Sequence, residues 1–483
     1  MDVNAYRQSA EAFLTDLTRE YYLHYAGLKE TYEIEPIYGR HEELFTVRAI
    51  DSFAFGGAGV ARLDGYVLFV SDAVPGDRVR AIVGKSKRAY AEARAVEILE
   101  PSPERIPAVA DHPGAPWQVL PYERQLEVKQ EQVADALRRI GKLEGFQLEP
   151  IVPALEQWRY RNKLEYSFGA DDGGRLVCGF HAPGRWDQIV EVRDCLLASE
   201  AGNAARERIV EWCRAQGLAP YDRRSGEGLL RNLVVREGRR TGQLQARLIT
   251  SPGQLDQEGL AAAAQPLAGL LWTQIDSVAE TTTGGSIELL AGADRVVEEI
   301  GGLNLRISPE AFFQTNTEMA EQLYGLAIES AQLGGFERVY DLYCGIGTIG
   351  LLIAPRVAEL WGLEIVPEAI ADAIANARRN EIDNARFFAG DVRLAMRELV
   401  EEAGRPDVIV VDPPRAGLSA KIVRRIIEAN PKRIVYVSCN PTTLAPNAAQ
   451  LVEAGYELKR VQPVDMFPQT PHIECVALLE RVG

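Results

Sequence analysis

The spacing of apolar residues changes several times along the chain, and each change predicts a different kind of element. Over residues 1–42, Ala12, Phe13, Leu17 and Tyr21 recur at helical spacing, which predicts a helical N-terminal extension. Over residues 43–101 the pattern shortens to that of strands. Phe45–Ile50, Gly65–Val70, Asp77–Val83 and Ala93–Ile98 read as short strands, with Gly56-Gly57, Asp64-Gly65 and Pro75-Gly76 at the turns. Such a series predicts a small OB-like β-barrel. Residues 102–300 open on a proline-rich linker that ends near residue 120. An amphipathic helix over 121–140 follows, marked by Leu126, Val133, Leu137 and Ile140. Strand and helix patterns then alternate as in an α+β central domain. Residues 301–483 form the last domain, and from 335 onward they alternate in the manner of a doubly wound α/β sheet.

Within that last region, three apolar runs read as buried parallel strands, each ending in residues suited to chemistry. Arg338–Asp341 leads into Cys344-Gly-Ile-Gly347, Val408–Val411 into Asp412-Pro-Pro-Arg415, and Arg433–Val437 into Ser438-Cys-Asn-Pro441. In an open α/β sheet the carboxyl ends of the strands bound one crevice. A glycine loop, an acidic proline turn and a cysteine are therefore expected to converge there. Gly345, Gly347 and Gly350 have the GxGxxG spacing, which suits a nicotinamide dinucleotide as well as S-adenosylmethionine. Glu364, after Leu360–Leu363, stands where an acid binds ribose hydroxyls, and Asp391 stands where an acid accepts from an adenine amino group. The alternative for either acid is a helix N-cap. The prolines after Asp412 fix a turn that projects one acid and backbone carbonyls into the crevice. Dehydrogenases have no use for that turn; methyltransferases acting on bases do.

Cys439, at a strand end before Asn440-Pro441, has the position of a nucleophile. A thiolate adding to C6 of a uracil makes C5 a carbon nucleophile toward a sulfonium methyl group. A base must then remove the C5 proton, and Glu474, opening the final strand after a Pro-His turn, is placed to do so. Cys475 points to the other side of that strand and reads as core, and Cys344 reads as packing.

Composition limits the partners. The 483 residues carry a net charge of −16, which disfavours nucleic-acid binding by the surface as a whole. Local clusters remain. Arg78, Arg80, Lys85, Lys87, Arg88 and Arg94 gather with Tyr90 in the barrel segment, and Arg159–Lys163 and Arg223–Asn232 in the middle. Either a solvated face or an RNA surface accounts for them; we read Arg78, Lys85, Lys87, Arg88, Arg161, Asn162, Lys163 and Arg231 as RNA contacts. Six scattered cysteines without a CxxC pair argue against a zinc ribbon or a disulfide framework. No apolar run approaches the roughly 20 residues of a membrane span. The first residues lack a leader pattern, so a cytoplasmic protein is expected, with a monomer favoured.

Phe312-Phe-Gln314, Asp341–Thr348, Asp412–Arg415, Ser438–Pro441 and His472-Ile-Glu474, in this order, resemble the motifs of the S-adenosylmethionine-dependent RNA (uracil-5-)-methyltransferases of bacterial rRNA and tRNA. The resemblance covers nearly all of residues 45–483. It implies a class I methyltransferase domain of Rossmann-like α/β fold at the C-terminus, and a TRAM barrel at the N-terminus. It further implies that Gln314, Tyr343, Glu364 and Asp412 contact S-adenosylmethionine, that Cys439 is the nucleophile and that Glu474 is the base. Thr348 takes a place held by Asn in some members, and Asp391 one where the family varies. There is one departure. Many barrel-bearing members hold a [4Fe–4S] cluster with three cysteines between barrel and helix. Here residues 106–122 contain none, and Cys195 resembles an isolated fourth ligand. No metal or cluster is expected; Asp111-His112-Pro113 and Trp117 are expected to fill the place by packing. RNA is the implied partner, with 23S rRNA preferred to tRNA. An exocyclic amino methyltransferase and a non-catalytic RNA-binding assembly factor are the rival readings; neither gives Cys439 and Glu474 a role.

Overall fold

The computed structural model describes residues 35–36, 43–47, 49–63 and 66–482. The expected N-terminal helix lies outside them, except that Glu35–Pro36 form a short strand (β1). The chain divides into two compact units. One comprises residues 1–107 with 119–121, the other residues 108–118 with 122–483.

The first unit is a seven-stranded sheet. Its strands after β1 are β2 (Glu43–Val47), β3 (Ser52–Phe53), β4 (Gly59–Leu63), β5 (Tyr66–Ser71), β6 (Arg78–Ser86) and β7 (Tyr90–Glu100), in spatial order β1-β2-β6-β7-β5-β4-β3. The described ladders form an open series. Val47, Val70, Val79, Ala81, Ala91 and Ala93 make its core. The small residues let the strongly paired β6 and β7 lie close. β3 and β4 are strands the sequence pattern did not single out: β3 has only two residues, and Gly56-Gly57 and Gly65 in the sequence interrupt the pattern around β4.

In the second unit, the stretch read as a linker is packed instead. Trp117 is buried, and its backbone N–H donates to the Gln469 carbonyl at 3.0 Å. The helix expected over 121–140 runs from Tyr122 to Asp135 and continues through a wider turn to Ile140. The short strand β8 (Gln147–Leu148) follows. The central sheet holds β9 (Lys163–Ala170), β10 (Leu176–His181), β11 (Ile189–Glu191), β12 (Leu230–Gly238), β13 (Gln243–Thr250), β14 (Gly269–Gln274) and β15 (Ser286–Gly292), in the order β11-β10-β9-β12-β13-β14-β15. The helix Glu200–Ala215 covers one face through Ile209 and Val210, and is capped by Ser199, whose hydroxyl accepts from the Gly202 N–H.

After the hairpin β16 (Val296–Ile300) and β17 (Leu303–Ile307), the chain forms the last sheet. Its strands are β18 (Arg338–Leu342), β19 (Glu359–Glu364), β20 (Ala385–Ala389), β21 (Val408–Val411), β22 (Arg433–Ser438), β23 (Tyr456–Val464) and β24 (Glu474–Arg481). The order is β20-β19-β18-β21-β22-β24-β23-β8; the first five are parallel, and β24 is antiparallel to both its neighbours. Every residue of β21 is buried, as a strand covered on both faces requires. Burial of each such Val or Ile contributes about 1.5–3 kcal/mol. Among the described residues, no helix is long and apolar enough to cross a membrane.

Candidate active site

The parallel order reverses at β18, between β19 and β21, and there the strand ends open a crevice. β18 gives way to a turn in which Tyr343, Gly345 and Gly347 all have positive φ (64°, 53° and 83°). Glycine adopts that backbone readily; Tyr343 adopts it at a cost of order 1–3 kcal/mol, a strain that clusters at functional sites. A Cβ at Gly345 would meet nothing within 4 Å, so the turn leaves open space. At Gly350 a Cβ would lie 2.7 Å from the Asp341 carboxylate, so the third glycine lets the helix Thr348–Ile353 approach the strand. Asp341 Oδ2 accepts from the Gly350 N–H at 2.9 Å, while its buried Oδ1 has no partner. Burial, reinforced by nearby Asp412, pushes the Asp341 carboxyl up to about 8. Burial raises that of Asp412 to about 7.

Glu364 ends β19 and accepts from the N–H groups of Ile365, Val366 and Gly345, at 2.7, 3.0 and 3.3 Å. Asp391 caps the helix Val392–Ala403 and pairs with Arg393. Both acids thus fill the helix-cap or turn role, and both also stand at strand ends beside the crevice. A cleft of about 240 Å³ opens between Tyr343, Ile365, Asp391, Val392, Gly417 and Ile422. Ile365 is 59% exposed despite being apolar, as befits a wall that a flat ring would cover. Neither Ile365 nor Val392 was singled out from sequence; their signal is an apolar residue next to a strand-end acid.

The other half of the crevice is built by β22 and β24. Ser438 pairs with Cys475 in an antiparallel register at the end of β22, so Cys439, just after that pair, and Glu474, just before it, lie close enough for their charges to interact. Asn440 caps the helix Pro441–Glu453, and its Nδ2 donates to the Arg415 carbonyl at 3.1 Å. That bond ties the Asp412–Arg415 turn to the cysteine turn. Cys439 is half-buried, whereas Glu474 is buried and its Oε2 has no partner. Burial, then Glu474 and Asp412, push the Cys439 thiol up to about 12, against the lowering effect of Arg415. Burial, aided by Asp412, holds the Glu474 carboxyl well above the usual carboxylate range. Cys475 and Cys344 are buried, as core residues would be. Gln314 is buried, and its backbone carbonyl accepts from Asn162 Nδ2 at 2.8 Å. Thr348 is buried at the start of its helix.

Residues 465–472, which deliver Glu474, are held by a buried polar network. Lys129 Nζ donates to Asp465 Oδ1 at 2.6 Å and to the Phe467 carbonyl at 3.1 Å. The Tyr122 hydroxyl donates to Asp465 Oδ2 at 2.8 Å, Gln125 Nε2 to Gln469 Oε1 at 2.8 Å, and the Tyr160 hydroxyl to the Pro468 carbonyl at 3.0 Å. Arg415 Nη1 and His472 Nδ1 are 3.4 Å apart, and burial drops His472 to about 4, so the neutral ring accepts. Nearby, His112 Nε2 lies 3.2 Å from Cys195 Sγ. Because His112 Nδ1 accepts from the Gly114 N–H, Nε2 carries the proton and donates to sulfur. His112 therefore lies against Cys195, with its ring 5.3 Å from that of Phe180, whereas the contacts of Trp117 are with Gln469, Gln125 and Lys129.

The residues read as RNA contacts are dispersed. In the first unit, Arg78 pairs with Glu100, Arg80 with Glu97 and Lys85 with Glu92 across the β6–β7 ladder. Lys87 and Arg88 are exposed at the hairpin tip, and neither is ion-paired among the described residues. In the second unit, Asn162 is buried and its Nδ2 donates to the Gln314 carbonyl and to Thr317 Oγ1, both at 2.8 Å. It orders the Gln314 turn from inside. Arg231 is also turned inward: it bonds Ser251 Oγ and the carbonyls of Ser277 and Ala279. Lys163 pairs with Glu165 at 2.6 Å. Arg161 stacks over the rings of Tyr160 and Phe467.

Residues 294–482 match the model of the tRNA (uracil-5-)-methyltransferase family, and residues 46–96 that of the TRAM domain. An uncharacterized RNA methyltransferase of Halalkalibacterium halodurans is 39% identical over 440 residues, covering 89% of this chain and 96% of its own. Another, from Bacteroides thetaiotaomicron, is 40% identical over 450 residues, covering 88% and 99%. Among solved structures, the tRNA (uracil-54, C5)-methyltransferase of Pyrococcus abyssi, in complex with S-adenosyl-L-homocysteine, superposes with a TM-score of 0.73 at 29% identity over 89% of this chain and 99% of that one. With the sheet order and the strand-end motifs, these likenesses establish that the chain belongs to the RNA (uracil-5-)-methyltransferase family.

Proposed function

We propose that the protein transfers a methyl group from S-adenosylmethionine to C5 of a uridine in RNA through a covalent adduct between Cys439 and C6. The observation that carries this reading is the pairing of Ser438 with Cys475, which brings the adjoining Cys439 and the buried acid Glu474 into electrostatic contact at the crevice. The crevice fits the cofactor. Asp341, with one unpartnered buried oxygen, and Asp412 are elevated carboxyls that a cation would relieve, and S-adenosylmethionine carries an ammonium and a sulfonium. Glu364 suits the ribose, Ile365 and Val392 suit the faces of the adenine, and Asp391 its amino group. We assign Gln314, Tyr343, Gly345, Gly347, Thr348 and Asp412 to the rest of the cofactor, as the family motifs imply.

When bound there, S-adenosylmethionine supplies an electrophilic methyl group for C5 of the uracil. Cys439 and Glu474 are electrostatically coupled, so a charge on one raises the pKa of the other. The Cys439 thiol gives up its proton to water while Glu474 is still protonated, and the resulting thiolate adds to C6, its charge passing into the uracil enolate. Once C5 has taken the methyl group and that charge is spent, Glu474 releases its own proton to water and, as a carboxylate, can take the C5 proton. The electron pair of the C5–H bond then re-forms the C5–C6 double bond and expels the Cys439 thiolate. Arg415 offsets the negative charge beside the cysteine.

The RNA expected is 23S rRNA, by the association of the barrel with rRNA-modifying relatives. A tRNA target is the second reading, favoured by the likeness to the Pyrococcus abyssi enzyme. We further propose a cytoplasmic, monomeric protein without a metal cluster. Mass mapping of 5-methyluridine in rRNA and tRNA from a deletion strain identifies the target: loss at one site of either RNA is expected, and an unchanged map refutes the reading. Incubation with 5-fluorouracil-substituted RNA and cofactor should trap a denaturant-resistant complex that Cys439→Ala abolishes. Retention of methyl transfer by that variant would favour exocyclic amino chemistry.

A further inference from the structure

Of the six tryptophans, Trp186 alone is exposed, at 53%. It stands on the turn between β10 and β11 of the central sheet. That turn is closed by the Ala182 N–H donating to the Gln188 carbonyl at 2.9 Å, and the Arg185 N–H to the Ala182 carbonyl at 2.9 Å. Over the indole lie two guanidinium groups from the neighbouring 221–228 loop, Arg224 at 5.1 Å and Arg223 at 5.8 Å from the ring centroid. That loop is also rigid. The Asp222 N–H donates to the Glu227 carbonyl at 2.8 Å, a Cβ at Gly228 would strike the Pro220 carbonyl, and Arg231 anchors the base by stacking on Tyr221 at 4.0 Å.

The arginines are oriented, not buried. Arg224 Nη2 bonds Asp187 Oδ2 at 2.9 Å and joins the two loops; Arg185 Nε bonds Asp187 Oδ1 at 3.0 Å. Arg223 pairs with Glu280 through Nη2, and Glu280 also bonds His181 and Ser167. Asp187 holds one corner of the Arg224 guanidinium and Glu280 one corner of that of Arg223; a guanidinium carries five N–H donors, so both have further donors for an anion. A large aromatic surface is thus kept in water, flanked by three arginines on a chain of net charge −16. Burying that indole against the protein would have been favourable; its exposure on two braced loops marks an interaction surface. Its chemistry suits single-stranded RNA: an aromatic face for a base, guanidinium groups for the adjoining phosphates.

We propose that Trp186, with Arg223 and Arg224, is a stacking platform for an unpaired base of the RNA substrate, apart from the crevice. The proposal rests on the RNA-methylating reading above. It assigns RNA contact to this pair of loops rather than to the inward-turned Asn162 and Arg231.

The test uses the full chain and radiolabelled methyl transfer to RNA from a bacterial strain lacking 5-methyluridine. Trp186→Ala should raise KM for RNA roughly 10-fold, the loss of about one base stack. Its kcat and cofactor affinity should stay unchanged, and Trp186→Phe should recover most of the loss. Arg224→Gln should flatten the salt dependence of RNA binding by roughly 0.7 in logarithmic slope, one phosphate contact on a single strand. An unchanged KM in Trp186→Ala, or a fall in kcat alone, overturns the platform while leaving the methylation reading intact. If the wild type transfers no methyl group, the functional reading fails first. The platform is then judged by quenching of intrinsic fluorescence with oligouridylate: quenching that is absent in the wild type, or unchanged in Trp186→Ala, overturns it.

Discussion

Cofactor binding should release protons, and the structure sets how many. Asp341 and Asp412 sit in the crevice with carboxyls raised to about 8 and about 7, chiefly by burial. Their ordinary value is about 3.9. At pH 7 a carboxyl titrating near 8 is about 90% protonated, and one near 7 about half. A bound cation favours the ionised forms of both. Complex formation at pH 7 should therefore release roughly one to two protons, and nearly none above about pH 9. Isothermal titration calorimetry of S-adenosylmethionine in phosphate, HEPES and Tris gives that number directly, as the slope of apparent enthalpy against buffer ionisation enthalpy. The sign in stability follows. A raised acid holds its proton when folded and has lost it when unfolded, so these two groups destabilise the cofactor-free protein as pH climbs from about 4 to 8. Bound cofactor removes that loss, and its thermal stabilisation should grow over the same window. Asp341→Asn should lower the count by about one proton and weaken binding more at pH 8 than at pH 6. A wild-type slope of zero at pH 7 would show that the two acids do not face the cofactor's charge, and would refute the placement.

Three further expectations follow from particular contacts. Lys129→Met leaves Asp465 buried without its counter-ion, which should cost about 3–5 kcal/mol in denaturant unfolding, while Lys129→Met with Asp465→Asn should recover most of it; additive losses would show that the pair is not coupled. Glu474→Gln should still add to RNA and methylate it, then stall as a covalent methylated adduct visible on denaturing gels; normal turnover would place the base elsewhere. In the barrel segment, Lys87→Ala with Arg88→Ala should reduce the salt slope of RNA binding by roughly 1.4, against less for Arg78 and Lys85, which are paired with Glu100 and Glu92; the reverse ranking would mean that those ion pairs open to RNA.

The sequence determined whatever depends on local order. Strands β18, β21 and β22 were legible because a strand covered on both faces must be apolar throughout, and their ends because Gly, Pro and Asn impose turns. The glycine turn after β18 and the position of Cys439 followed from those ends, and the position of Glu474 from the Pro-His turn before β24. A chain-local pattern carries no information on what lies opposite a side chain, and only the tertiary structure decided that. Arg78 and Lys85 read as free cations until the β6–β7 register set glutamates against them. Asn162 and Arg231 read as surface polar residues until packing turned them inward. Residues 101–120 read as a linker because prolines suppress periodicity, yet Trp117 is core. The elevation of Asp341 and Asp412 likewise exists only once the sheet has closed around them: desolvation and like-charge proximity are properties of a place, and sequence specifies the place only through the fold.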